Sequence, residues 1–245
     1  MKRRNMATYK PNFKKSYIAA HEKLVKLPLG TTFPLKTAKI IEDFSDLELH
    51  SFDWAEKHGF QRVYFKSESK ELYEKNGRYT VFYDETKPPA HSKFSILHEL
   101  FHYESNHDLN AGEKNTELYN KQELEANFFA AEILMPEPVI KEIETRGKKM
   151  DAKEIQKVFG TSAKAAEIHF KTLKSYPNFL RSNEEKEFDE YLVKFIFKKF
   201  SEFACKFKII RVSHFFLDSP SLIYNFYCFN LKKMLQKNKM LLLEK

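Results

Sequence analysis

The chain has 245 residues, 42% of them hydrophobic and 31% charged, with a formal net charge of +8. That length and apolar content exclude a largely disordered chain, and six glycines and nine prolines exclude collagen-like or Gly/Pro-rich sequence, so one or two domains with a sizeable core are expected. Two cysteines, Cys205 and Cys228, exclude a disulfide scaffold and a four-cysteine zinc site, and no apolar signal segment follows Met1-Lys2-Arg3-Arg4, so a reducing, cytoplasmic setting is expected.

The basic charge belongs to the ends: residues 1–30 carry +7 and residues 231–245 carry +4, leaving −3 between them. Phe13 to Leu27 is predicted helical, with Tyr17, Ala20, Leu24 and Leu27 at helical spacing, and Pro28, Gly30 and Pro34 break the pattern. A short helix is expected over 35–44. Residues 62–65 and 79–83 read as strands, Asn76-Gly77 marks a turn before the second, and Pro88-Pro89 closes the sheet region. Helices are then expected at about 91–105, 116–135, 138–146, 151–159 and 162–175, the fourth opened by a capping box of Asp151 and Glu154. The last two have the outline of a helix-turn-helix. The second of them offers only Lys164, Lys171 and Lys174 against Glu167, so a plain helical pair is favoured over direct DNA binding. Ser182 and Glu185 open a long amphipathic helix that carries Phe188, Leu192, Phe195 and Phe203. Residues 206–245 are apolar and aromatic, but Arg211, His214, Asp218 and Pro220 interrupt them well short of the roughly 18–20 residues of a membrane helix. No membrane span is expected. The pattern predicts an α+β chain, mainly helical with a small β-sheet. It divides into an N-terminal helical segment (1–59), a core (60–175) and a C-terminal amphipathic helix with an aromatic tail (176–245).

His98-Glu99-Leu100-Phe101-His102 is an H-E-x-x-H motif. On a helix, side chains four apart share a face, so both imidazoles can reach one metal ion while Glu99 lies beside them as a base for water. Phe94, Leu97 and Phe101 give that helix an apolar side. Residues 98–137, which hold the motif, carry −7, as a divalent-cation site would favour. A catalytic zinc site takes three protein ligands and leaves one position open. Asp108 has metzincin spacing, but Ser105 stands where those proteins have the glycine of a tight turn. Glu125 lies on the second apolar helix between Leu124 and Phe128-Phe129, where a carboxylate is costly unless a cation or donors meet it. The alternative is a solvated Glu125. Glu123 and Glu132 read as spare or solvated carboxylates. Tyr103 and His107 read as packing residues or oxyanion donors.

The blocks Phe94-Ser95-Ile96-Leu97-His98-Glu99-Leu100-Phe101-His102 and Glu125-Ala126-Asn127-Phe128-Phe129-Ala130-Ala131-Glu132-Ile133-Leu134-Met135-Pro136 resemble the ImmA/IrrE family of metallo-endopeptidases, over about residues 60–175. The resemblance implies a zincin-like fold with the sheet packed on the H-E-x-x-H helix. It implies one zinc ion on His98, His102 and Glu125, with Glu99 as general base. It also implies a protein substrate, typically a helix-turn-helix repressor of a prophage or mobile element, whose cleavage relieves repression. One departure stands out: Phe101 replaces the family's usual glycine, which adds bulk beside the metal helix and suggests a narrower cleft. A non-catalytic regulatory protein that binds a repressor or DNA, with a structural or vestigial metal site, is the alternative. The intact Glu99 argues against it, since a structural site has no use for that residue.

Overall fold

Asn12 begins the first helix. Its side chain accepts from Lys15 N at 3.1 Å and caps α1, Phe13–Lys26. In the computed structural model the described residues are 11–27, 33–35, 47–61, 70–76, 78–107, 117–175, 186–187 and 189–193. All fall in one unit, Met1–Lys208. Beyond Leu35, the helix expected over 35–44 lies outside them, as do the strand at 62–65 and the aromatic tail.

The sheet has three strands: β1, Glu48–Ser51; β2, Lys70–Lys75; and β3, Arg78–Tyr83. Their order is β1-β3-β2, with β1 parallel and β2 antiparallel to β3. Lys75 pairs with Arg78 across the Asn76-Gly77 hairpin-turn signal. Asn76 takes the left-handed backbone (φ 55°) that such primed turns require. The strand entering the turn is β2. Its Lys-Glu-Leu-Tyr-Glu-Lys sequence has little β-propensity of its own and is drawn into the sheet by pairing with β3. β1 lies within the 1–59 segment, and Ser51 at its end caps the short helix α2, Phe52–Lys57, through Trp54 N.

Alternation along β3 gives the sheet two faces. Phe82 packs with Phe52 and Ala55, and Phe60 and Tyr73 cover that cluster. Val81, paired with Leu72 and Leu49, belongs to the other face, as does Tyr79, whose ring meets Tyr103 at 4.9 Å. Tyr103 belongs to α3, Pro89–Glu104, which carries H-E-x-x-H and packs on β2 and β3. Pro88 and Pro89 start α3 at the position where proline's missing N–H costs nothing.

The helix α4, Glu117–Leu134, packs against both α3 and α1. Phe101 of α3 meets Phe129 at 4.8 Å, and Phe13 of α1 meets Phe128 at 5.1 Å. One aromatic pair of α4 therefore serves two neighbours. Pro136 ends α4 and starts α5, Glu137–Thr145. The helices α6, Ala152–Phe159, and α7, Ala163–Ser175, follow, with Asp151 capping α6 through Glu154 N at 2.9 Å. Their turn is tied to the end of α4: Thr161 Oγ1 meets Met135 Sδ at 3.3 Å, and His169 Nε2 donates to Met135 O at 2.9 Å. Residues 186–187 and 189–193 are helical, in agreement with the amphipathic pattern. Among the described residues no helix is long and apolar enough to cross a membrane.

A fully buried polar group joins these parts. His21 of α1 places Nε2 2.8 Å from Glu132 Oε1 and Nδ1 3.3 Å from Asp189 Oδ1. Tyr17 donates to Asp189 at 2.9 Å, and Glu132 also accepts from Glu137 N at 2.7 Å. Burial works to discharge His21, but its contacts with Asp189 and Glu132 prevail and raise its pKa above the ordinary 6.5. Glu132 is thus not solvated. It is a buried tie between α4 and α1.

Gly160 ends α6 with φ +63°, and a Cβ there would lie 2.5 Å from Pro34 Cγ and 2.8 Å from Pro34 Cβ. Both the backbone and the contact demand glycine. Gly160→Ala should cost about 2 kcal/mol. A lower denaturant midpoint at unchanged slope is the expected result, and an unchanged midpoint would contradict this packing.

Candidate metal centre

The four-residue spacing on α3 does what the motif requires. His98 and His102 are both buried and their Nε2 atoms face each other at 2.9 Å. Glu99 is buried beside them on the same helix. The third group comes from α4. Glu123 Oε2 lies 3.3 Å from His98 Nε2, and Glu123 Oε1 lies 3.3 Å from His102 Nε2. Among the described residues these three form the cluster able to hold a metal ion.

The third ligand expected from the sequence was Glu125, and the structure brings Glu123 to the histidines in its place. The reason is helix geometry. Two residues apart, side chains point about 200° apart, so Glu123 and Glu125 cannot both face α3. Residues four apart do share a face, and Asn127 joins Glu123 there, its Oδ1 2.9 Å from His98 Nδ1. Glu125 points to α1 instead. Its Oε1 accepts from Asn12 N at 2.6 Å and lies 3.7 Å from Lys121 Nζ, while its Oε2 is 3.9 Å from His107 Nε2. The carboxylate on an apolar helix did need donors, and α1 and its neighbours supply them. Asp108 lies outside the described residues.

Two further expectations change. Phe101 does not narrow a cleft. It is buried against Phe129, with His107 edge-on to it at 5.5 Å and Lys15 Nζ 5.7 Å over its ring. The tight turn missing at Ser105 is made one residue later. Asn106 has φ 49°, Asn106 N bonds Tyr103 O at 3.1 Å, and His107 N bonds His102 O at 3.0 Å. This paired closure of a helix C-terminus carries the chain back over α3 and sets His107 Nδ1 2.9 Å from His102 Nδ1. Burial, then the nearby His102, Lys15 and His98, push the His107 pKa down to about 3, so its ring is neutral. Burial also lowers the pKa of Lys15, against the pull of Glu125. Tyr103 packs on Tyr79.

The donor set fits a zinc ion. Three donor groups with spacings of 2.9–3.3 Å can all lie about 2 Å from one ion. Two imidazoles and a carboxylate are ligands zinc accepts, and the outer nitrogen of each histidine already has a partner. Asn127 escaped the sequence reading, although its place one turn beyond Glu123 was the available signal.

Glu123→Ala should weaken zinc binding at least about 100-fold, and Glu125→Ala about tenfold or less. Competition with a chromophoric chelator measures both. A larger loss for Glu125→Ala would contradict the assignment to Glu123.

Residues 48–171 match the family model described as the IrrE N-terminal-like domain, a peptidase family. No curated protein matches the chain.

Proposed function

Since the chain belongs to the peptidase family of the IrrE N-terminal-like domain, we propose that it is an intracellular zinc-dependent endopeptidase whose centre is His98, His102 and Glu123. The observation that carries this reading is the convergence of those three side chains beside a buried Glu99. Zinc held by His98, His102 and Glu123 would supply Lewis acidity to the scissile carbonyl and to water at neutral pH. Glu99 takes the proton from the attacking water and delivers it to the leaving amine. The Nε2 atoms of His98 and His102 lie together with the Glu123 carboxylate, while their Nδ1 atoms lie against Asn127 and His107. Glu123 is partly exposed, whereas His98 and His102 are buried. The substrate is a protein, and the ImmA/IrrE resemblance supports a helix-turn-helix repressor of a prophage or mobile element.

The purified chain with zinc should cleave a helix-turn-helix repressor of a prophage or mobile element. Glu99→Gln should bind zinc as tightly as wild type yet lose about 10²–10⁴-fold in kcat/KM. Retained cleavage by Glu99→Gln would remove its role as base. Tight repressor binding with no cleavage by wild type would favour a regulatory binding protein.

A further inference from the structure

A metal takes the lone pair of an imidazole Nε2, which leaves the ring's hydrogen on Nδ1 and makes the partner of Nδ1 decisive for tautomer and ring angle. For His98 that partner is Asn127 Oδ1, a plain acceptor at 2.9 Å. For His102 it is another imidazole, His107 Nδ1 at 2.9 Å. Two Nδ1 atoms at this distance share one hydrogen. If His102 donates it, His107 Nδ1 must be bare and the His107 hydrogen must sit on Nε2. That atom faces Glu125 Oε2 at 3.9 Å. Glu125 is itself fixed by Asn12 N at 2.6 Å. The His107 ring is set by the closure of α3 at Asn106 and by edge-on contact with Phe101.

We propose that His107 is a positioning residue of the metal centre, fixing His102 as the Nδ1–H tautomer. This rests on the metal reading above and extends it beyond the three ligands. His107 touches neither substrate nor ion. It acts through His102.

The test compares His107→Leu with His107→Asn in the full chain. Leucine fills the space with no acceptor, whereas the asparagine Oδ1 falls near the original Nδ1 and accepts the same hydrogen, as Asn127 does for His98. Zinc affinity is read by chelator competition, and the visible spectrum of the cobalt-substituted protein reports the ligand field. His107→Leu should lose about 10–100-fold in zinc affinity and shift the cobalt bands. His107→Asn should recover most of both. Wild-type affinity in His107→Leu would overturn the proposal. So would a folded His107→Asn as weak as His107→Leu, because then the ring only packs. Should His107→Leu fail to fold, His107→Asn alone decides, since the proposal requires it to keep near-native affinity. A wild-type chain that binds no zinc would overturn the metal reading, and this inference with it.

Discussion

Two imidazole nitrogens and a carboxylate sit within 2.9–3.3 Å of each other at the junction of two helices. Nitrogen lone pairs that face each other this closely require a proton or a cation between them, and their burial raises the cost of leaving them unmatched. The surrounding structure is organised around that constraint. α3 supplies both histidines because four residues make about one turn. α4 supplies the carboxylate because one of its faces is turned toward α3. The small sheet backs α3, and α1 backs α4.

The face α4 presents depends in turn on α1. Phe128 packs on Phe13, Phe129 packs on Phe101, and Glu125 takes the backbone N–H of Asn12, the cap of α1. These contacts fix the rotation of α4, and so decide that Glu123 and Asn127 look toward the histidines. At the far end of the same helix, Glu132 ties α4 to His21, with Asp189 on the other side of that ring. Removal of either partner would leave a charge buried without its counterpart, a far larger penalty than loss of an exposed pair. The buried tie holds α4 at one end and the site carboxylate depends on it at the other.

The parts of this arrangement that depend on spacing within one element were legible in the sequence. The H-E-x-x-H helix, the Asp151 cap, the Asn76-Gly77 turn and strand β3 all follow from local pattern. The parts that depend on contact between elements were not. α4 carries apolar residues toward two neighbours, so its sequence does not say whether Glu123 or Glu125 faces α3. β1 and β2 are edge strands rich in polar residues, and only pairing with β3 makes them strands. His107 reads in the sequence only as a packing residue or oxyanion donor, because nothing short of a left-handed Asn106 returns it to His102. The same separation explains Phe101: a large residue in the place of glycine suggested a narrowed cleft, whereas α3 turns it into the core.

Two imidazoles of α3 and one carboxylate of α4 are placed to hold a single zinc ion. X-ray absorption at the zinc edge of the zinc-loaded chain reads that coordination. One zinc per chain is expected, with light-atom ligands at about 2.0–2.1 Å and the outer-shell scattering of two imidazole rings. A sulfur ligand, a first shell without imidazole, or a chain that retains no zinc would contradict it.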